Sequence, residues 1–128
     1  MKRLLALAAV LETVTGLALI IEPTIVARLL LGADVFGAGA AVGRVAGFAL
    51  VSLGLACWPG RDPASRPAPA VRAMLTYNSL ITCYLVFLGI GGQFVGVLLW
   101  PAVAIHGLLT LLLVRERFRT QQTQDSKG

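Results

Sequence analysis

Four residues in this 128-residue chain carry chemistry in surroundings that do not invite it: Glu12, Arg44, Asn78 and His106 each interrupt a long apolar run. A carboxylate, a guanidinium, an amide and an imidazole could bind a polar group, hold a counter-ion or move a proton. Ionisable groups at membrane depth are costly, so each is a functional candidate. Trp100, followed by Pro101, joins them as a candidate lining residue.

The runs that carry these residues dominate the composition. Apolar residues make up 57% of the chain and charged residues 13%, with a mean hydropathy of +0.83. Soluble domains carry about 25% charged residues, so an ordinary soluble enzyme, a disordered chain and a nucleic-acid-binding domain are excluded. The net charge of +5 does not restore nucleic acid as a partner, because the basic residues fall between and beyond the apolar runs. The implied partner is the lipid bilayer.

The apolar segments span about 4–21, 35–58, 71–91 and 94–114, each close to the roughly 20 residues a helix needs to cross the hydrocarbon. Unpaired backbone groups are intolerable in lipid, so helices are expected. The first segment, interrupted by Glu12 and followed by no small-x-small cleavage site, reads as a retained span rather than a signal peptide. The expectation is an all-α, four-helix transmembrane bundle over residues 1–114, with a polar cytoplasmic tail over 115–128 that lacks structure after Phe118. Between the first two spans, Pro23 suits a helix N1 position and Gly32 a C′ position. Ile25, Val26, Leu29 and Leu30 share a side, so a short interfacial helix is expected there. Four prolines between residues 59 and 69 read as a stiff connector.

Charge placement predicts orientation. Lys2 and Arg3, then Arg61, Arg66 and Arg72, then Arg115, Arg117, Arg119 and Lys127 flank the spans. The positive-inside rule puts all three groups on the cytoplasmic side of the membrane.

Measured from the span midpoints, Glu12, Arg44, Asn78 and His106 fall within a slab roughly 8 Å thick. Helical spacing places Glu12 with Ala8, Thr15 and Gly16, and Arg44 with Gly37, Ala40, Ala41 and Gly47. Asn78 lies with Thr82, and His106 with Thr110. A polar stripe on every span predicts a cluster facing the bundle interior. Within it, the opposite charges and similar depth of Glu12 and Arg44 predict an ion pair.

The second span also carries Gly39-x-x-x-Gly43-x-x-x-Gly47 with Gly54 a heptad further on, spacing that lets helices approach closely. The main expectation is contact within the chain. The alternative is a homo-oligomer through Gly39, Gly43 and Gly47. Pro101 is expected to kink the fourth span. Cys57 and Cys83 sit at different depths, too far apart for a disulfide. The ligand-type residues show no metal spacing, and no motif assigns a cofactor or a catalytic residue.

The stretches Gly43-Arg44-Val45-Ala46-Gly47, Tyr77-Asn78 and Leu99-Trp100-Pro101-Ala102-Val103-Ala104-Ile105-His106 resemble those of short bacterial four-helix inner-membrane proteins of unknown function. The layout is loosely similar to DoxX-like proteins. That resemblance implies a compact bundle in the inner membrane and implies no activity.

Three functions fit these residues. The cluster could bind a small lipophilic or weakly polar molecule, or support a membrane complex. It could perform acid–base chemistry, with Glu12 or His106 shuttling a proton. It could serve a proton-linked transporter working as an oligomer.

Overall fold

The computed structural model describes residues 1–59 and 68–125. The proline-rich connector expected near residues 59–70 falls largely on 60–67, outside the described residues. Those described form five helices and no strand: α1 (Lys2–Ile21), α2 (Pro23–Leu31), α3 (Ala38–Ala56), α4 (Ala68–Gly91) and α5 (Leu99–Asp125). Four of these, all but α2, are long and apolar enough to cross a membrane. This is the layout of a multi-pass membrane protein in contact with the bilayer.

The short helix α2 forms where its end signals place it. Pro23 occupies the start, where a missing N–H costs nothing, and Gly32 ends it in the left-handed conformation at φ 72°. Arg28 closes the following turn with two hydrogen bonds to Asp34, 2.6 Å from Nε to Oδ1 and 3.0 Å from Nη2 to Oδ2.

The fourth span departs from expectation at both ends. It begins at Leu99 rather than near residue 94, and it continues as helix to Asp125, through most of the stretch expected to lack structure. Pro101 therefore sits in the first turn, where no intrahelical donor is lost and no kink is required. Residues 94–98 instead run beside α2. Val95 N–H donates to Leu31 O at 3.1 Å and Leu98 N–H to Leu29 O at 2.8 Å. These bonds satisfy carbonyls that the end of α2 leaves unpaired. Gly96 lies directly on the Leu30 carbonyl, where a Cβ has no room.

The long helices associate as two antiparallel pairs, α1 with α3 and α4 with α5, and α1 also reaches α4 and α5. A buried apolar cluster joins the pairs near one end through Leu5 and Ala8 of α1, Val71 and Met74 of α4, and Leu109 and Leu113 of α5. Much of the remaining apolar surface faces outward, including Val14, Ile21, Phe48, Phe87 and Leu111.

The α1–α3 seam is built from small residues. A Cβ at Gly16 would lie 2.7 Å from Gly47 O, and one at Gly47 would lie 2.6 Å from Gly16 O. Gly54 packs on Thr13 and the Ala9 carbonyl. The glycine stripe thus works within the chain, as the spacing suggested. Gly47 is covered by α1 and Gly43 faces Pro23, while Gly39 meets only Val35 of its own chain. Two of the three glycines named for the homo-oligomer alternative, Gly43 and Gly47, thus make contacts within the chain.

Candidate functional site

The face of α1 next to the glycine seam carries the polar residue. Ala9, Thr13, Gly16 and Ile20 recur at helical spacing toward α3. Leu5, Ala8 and Glu12 form the neighbouring stripe, and all three are buried. Glu12 is 1% exposed, and Asn78 of α4 is 0% exposed. His106 of α5 completes the junction. Its Nδ1 lies 2.8 Å from Asn78 Oδ1 and 3.8 Å from Glu12 Oε1.

The amide is oriented by its other end. Asn78 Nδ2 donates to Met74 O at 2.8 Å. A backbone carbonyl only accepts, so Oδ1 must face the imidazole. Since Oδ1 also only accepts, Nδ1 of His106 carries the proton. In the neutral ring Nε2 is then the acceptor.

Tyr77, one residue before Asn78 on α4, hydrogen-bonds to the Glu12 carboxyl. Its ring also meets the imidazole edge-on, with centroids 6.0 Å apart at 78°. Tyr77 is the member that sequence reasoning did not assign to the cluster. Its signal was adjacency to Asn78 and a side chain long enough to reach round the helix.

The two threonines expected beside the cluster turn their hydroxyls to their own helices. Thr82 donates to Asn78 O at 2.6 Å, and Thr110 to His106 O at 2.9 Å. Glu12 Oε1 is left over. Among the described residues it is the buried side-chain oxygen or nitrogen with no hydrogen-bond partner.

Arg44 does not join the cluster, and the expected pair with Glu12 does not form. Its side chain is exposed on α3, with Nε donating to Ile20 O at 3.2 Å. Eight residues separate Ile20 from Glu12, about 12 Å of helix at 1.5 Å per residue. Arg44 lies away from the depth of Glu12 because the glycine seam, not a common mid-plane, sets the register of α3 against α1. Arg44 instead supplies a donor to a carbonyl that the end of α1 leaves unpaired. Thr15, expected beside Glu12, is exposed.

Trp100 also stands apart from the cluster. It is half exposed at the start of α5, its ring edge against Gly89, six residues and about 9 Å of helix rise from His106. Both cysteines are free: Cys57 is buried and Cys83 is exposed. Among the described residues, no group of three His, Cys, Asp or Glu side chains could hold a metal ion.

The chain matches no protein-family model, no curated protein and no solved structure.

Proposed function

We propose that this protein binds a small lipophilic or weakly polar molecule at the junction of α1, α4 and α5, through Glu12 and His106. One observation carries the reading: Glu12 Oε1 is buried and unpartnered. Leaving such an atom unmet costs about 1–3 kcal/mol, and more when it is charged. A protonated Oε1 fares no better, because the nearest group, His106 Nδ1, is itself a donor. A bound molecule supplies what the chain withholds.

The flanking charges support an orientation. Lys2 and Arg3 of α1, Arg72 of α4 and Arg115, Arg117 and Arg119 of α5 gather at one end of the bundle. By the positive-inside rule that end, with both termini, faces the cytoplasm of a bacterial cell, and the α2 end faces outward. The loose likeness to DoxX-like bundles agrees with an inner-membrane location.

A second reading, acid–base chemistry on the bound molecule, is favoured by the imidazole's geometry. Asn78 holds the Nδ1–H tautomer, which leaves Nε2 as a base. In this reading Asn78 is a positioning residue.

Native mass spectrometry of the protein released from detergent tests the binding. A co-purifying small molecule is expected on the wild type and absent from His106→Phe, with both chains folded. Equal retention by the two removes the cluster from function. Failure of His106→Phe to fold makes the imidazole a packing group.

A further inference from the structure

The hydrogen atoms of the cluster are all accounted for within it or beside it. Tyr77 hydrogen-bonds Glu12, and His106 Nδ1–H is directed at Asn78 Oδ1. Asn78 Nδ2 is turned to Met74 O. The hydroxyls of Thr82 and Thr110 donate to carbonyls of their own helices. What remains is Glu12 Oε1 and, in the neutral ring, His106 Nε2. With the carboxyl ionised, both are acceptors.

Charge points the same way. Among the described residues no Lys or Arg pairs with Glu12, whose nearest basic group is His106 at 3.8 Å. The guanidinium of Arg44 is turned to Ile20 O. A buried carboxylate without a counter-cation is unfavourable, and a cation brought to it restores the balance. An anion would add like charge, and a molecule that only accepts hydrogen bonds would meet only acceptors.

We propose, building on the binding function above, that the site takes a lipophilic cation that donates hydrogen bonds: a protonated amine on an apolar body. Its N–H groups reach Glu12 Oε1 and His106 Nε2, and its apolar body remains among the apolar side chains of α4 and α5 or in the lipid. The imidazole is 17% exposed against 1% for the carboxylate, so the headgroup passes His106 to reach Glu12.

The test uses the full chain in nanodiscs of zwitterionic lipid, with labelled n-dodecylammonium, n-dodecanol and decylubiquinone as probes. Saturable binding of n-dodecylammonium, near one per chain, is expected. It should weaken at least about tenfold in Glu12→Gln, the worth of one charge-assisted hydrogen bond, and persist in Glu12→Asp. Dodecyltrimethylammonium has the charge but no N–H and should bind the wild type about tenfold more weakly. This comparison needs no folded variant, and equal binding of the two cations overturns the donor requirement. If dodecanol or decylubiquinone instead binds in a Glu12-dependent way while n-dodecylammonium only partitions, the cation inference falls and the small-molecule reading stands. If no probe responds to Glu12, both fall.

Discussion

Helix α1 has two working faces that solve one problem differently. Toward α3, Gly16 meets Gly47, and Gly54 meets Ala9 and Thr13, backbone nearly on backbone. Toward α4 and α5, Glu12 meets Tyr77 and His106, side chain on side chain. In lipid neither face gains a hydrophobic driving force, because the surrounding tails are as apolar as leucine. The first face is held by close van der Waals approach and tolerates no added atoms. The second is held by directional bonds and leaves one acceptor over. A steric seam has no spare capacity, whereas a polar seam with an unmatched oxygen does. On the proposed function, the first face serves stability and the second recognition.

The sharpest way to break that division is to add volume at the glycine seam. Gly47→Val should destabilise the protein by about 3 kcal/mol, the upper range for overpacking, since Gly16 O and Ile20 N, which oppose it, are backbone and cannot turn aside. The midpoint of unfolding in detergent reads this. A neutral outcome would show that α1 and α3 separate easily and that the seam is not the stable face.

On the polar side, Asn78→Ala strands His106 Nδ1–H and removes the second hydrogen bond to Met74 O, which keeps its helical one. A loss of about 1–2 kcal/mol is expected. A double-mutant cycle with His106→Phe should give a coupling of about 0.6–1.7 kcal/mol, the range for interhelical polar pairs in membranes. Absence of coupling would dissolve the cluster as a unit.

Across the two faces, Glu12→Gln and Arg44→Leu should be additive within about 0.5 kcal/mol, because their side chains have separate partners. A larger coupling in the detergent unfolding midpoints would restore the ion pair that the sequence suggested.

The smallest effect lies outside the spans. The hydrogen bond from Arg28 holds the Asp34 carboxyl below its ordinary value of 3.8. A lowered carboxylate adds stability that is present above the unfolded value and lost as pH falls through the folded one. Protection of residues 32–36 in hydrogen exchange should therefore fall slightly below pH 3.8 in the wild type. It should show no such step in Asp34→Asn.

What was legible in the sequence was local. Span lengths, the proline and glycine bounding α2, and the depths of Glu12, Asn78 and His106 follow from properties of each segment alone. What escaped depended on how segments meet. Arg44 lies elsewhere because register is set by which glycines touch, and Tyr77 is hidden because a tyrosine in an apolar run resembles packing. The run of residues 94–98 is apolar enough to begin a span, yet its backbone donors are drawn to α2 by carbonyls far away in the chain.

That last attachment bears on how the protein is made. The carbonyls at the end of α2 emerge early in synthesis, but the N–H groups of Val95 and Leu98 that satisfy them follow only after two further spans. Until then those carbonyls need another donor, and hydrocarbon offers none. Water at the membrane surface does. The short helix must therefore wait at the interface, hydrated, while the rest of the chain is inserted. It exchanges water for backbone only when the last hairpin closes over it. A side chain at position 96 would delay that closing step without touching any span, and its signature would be a fully inserted chain that stays open to protease at its α2 end.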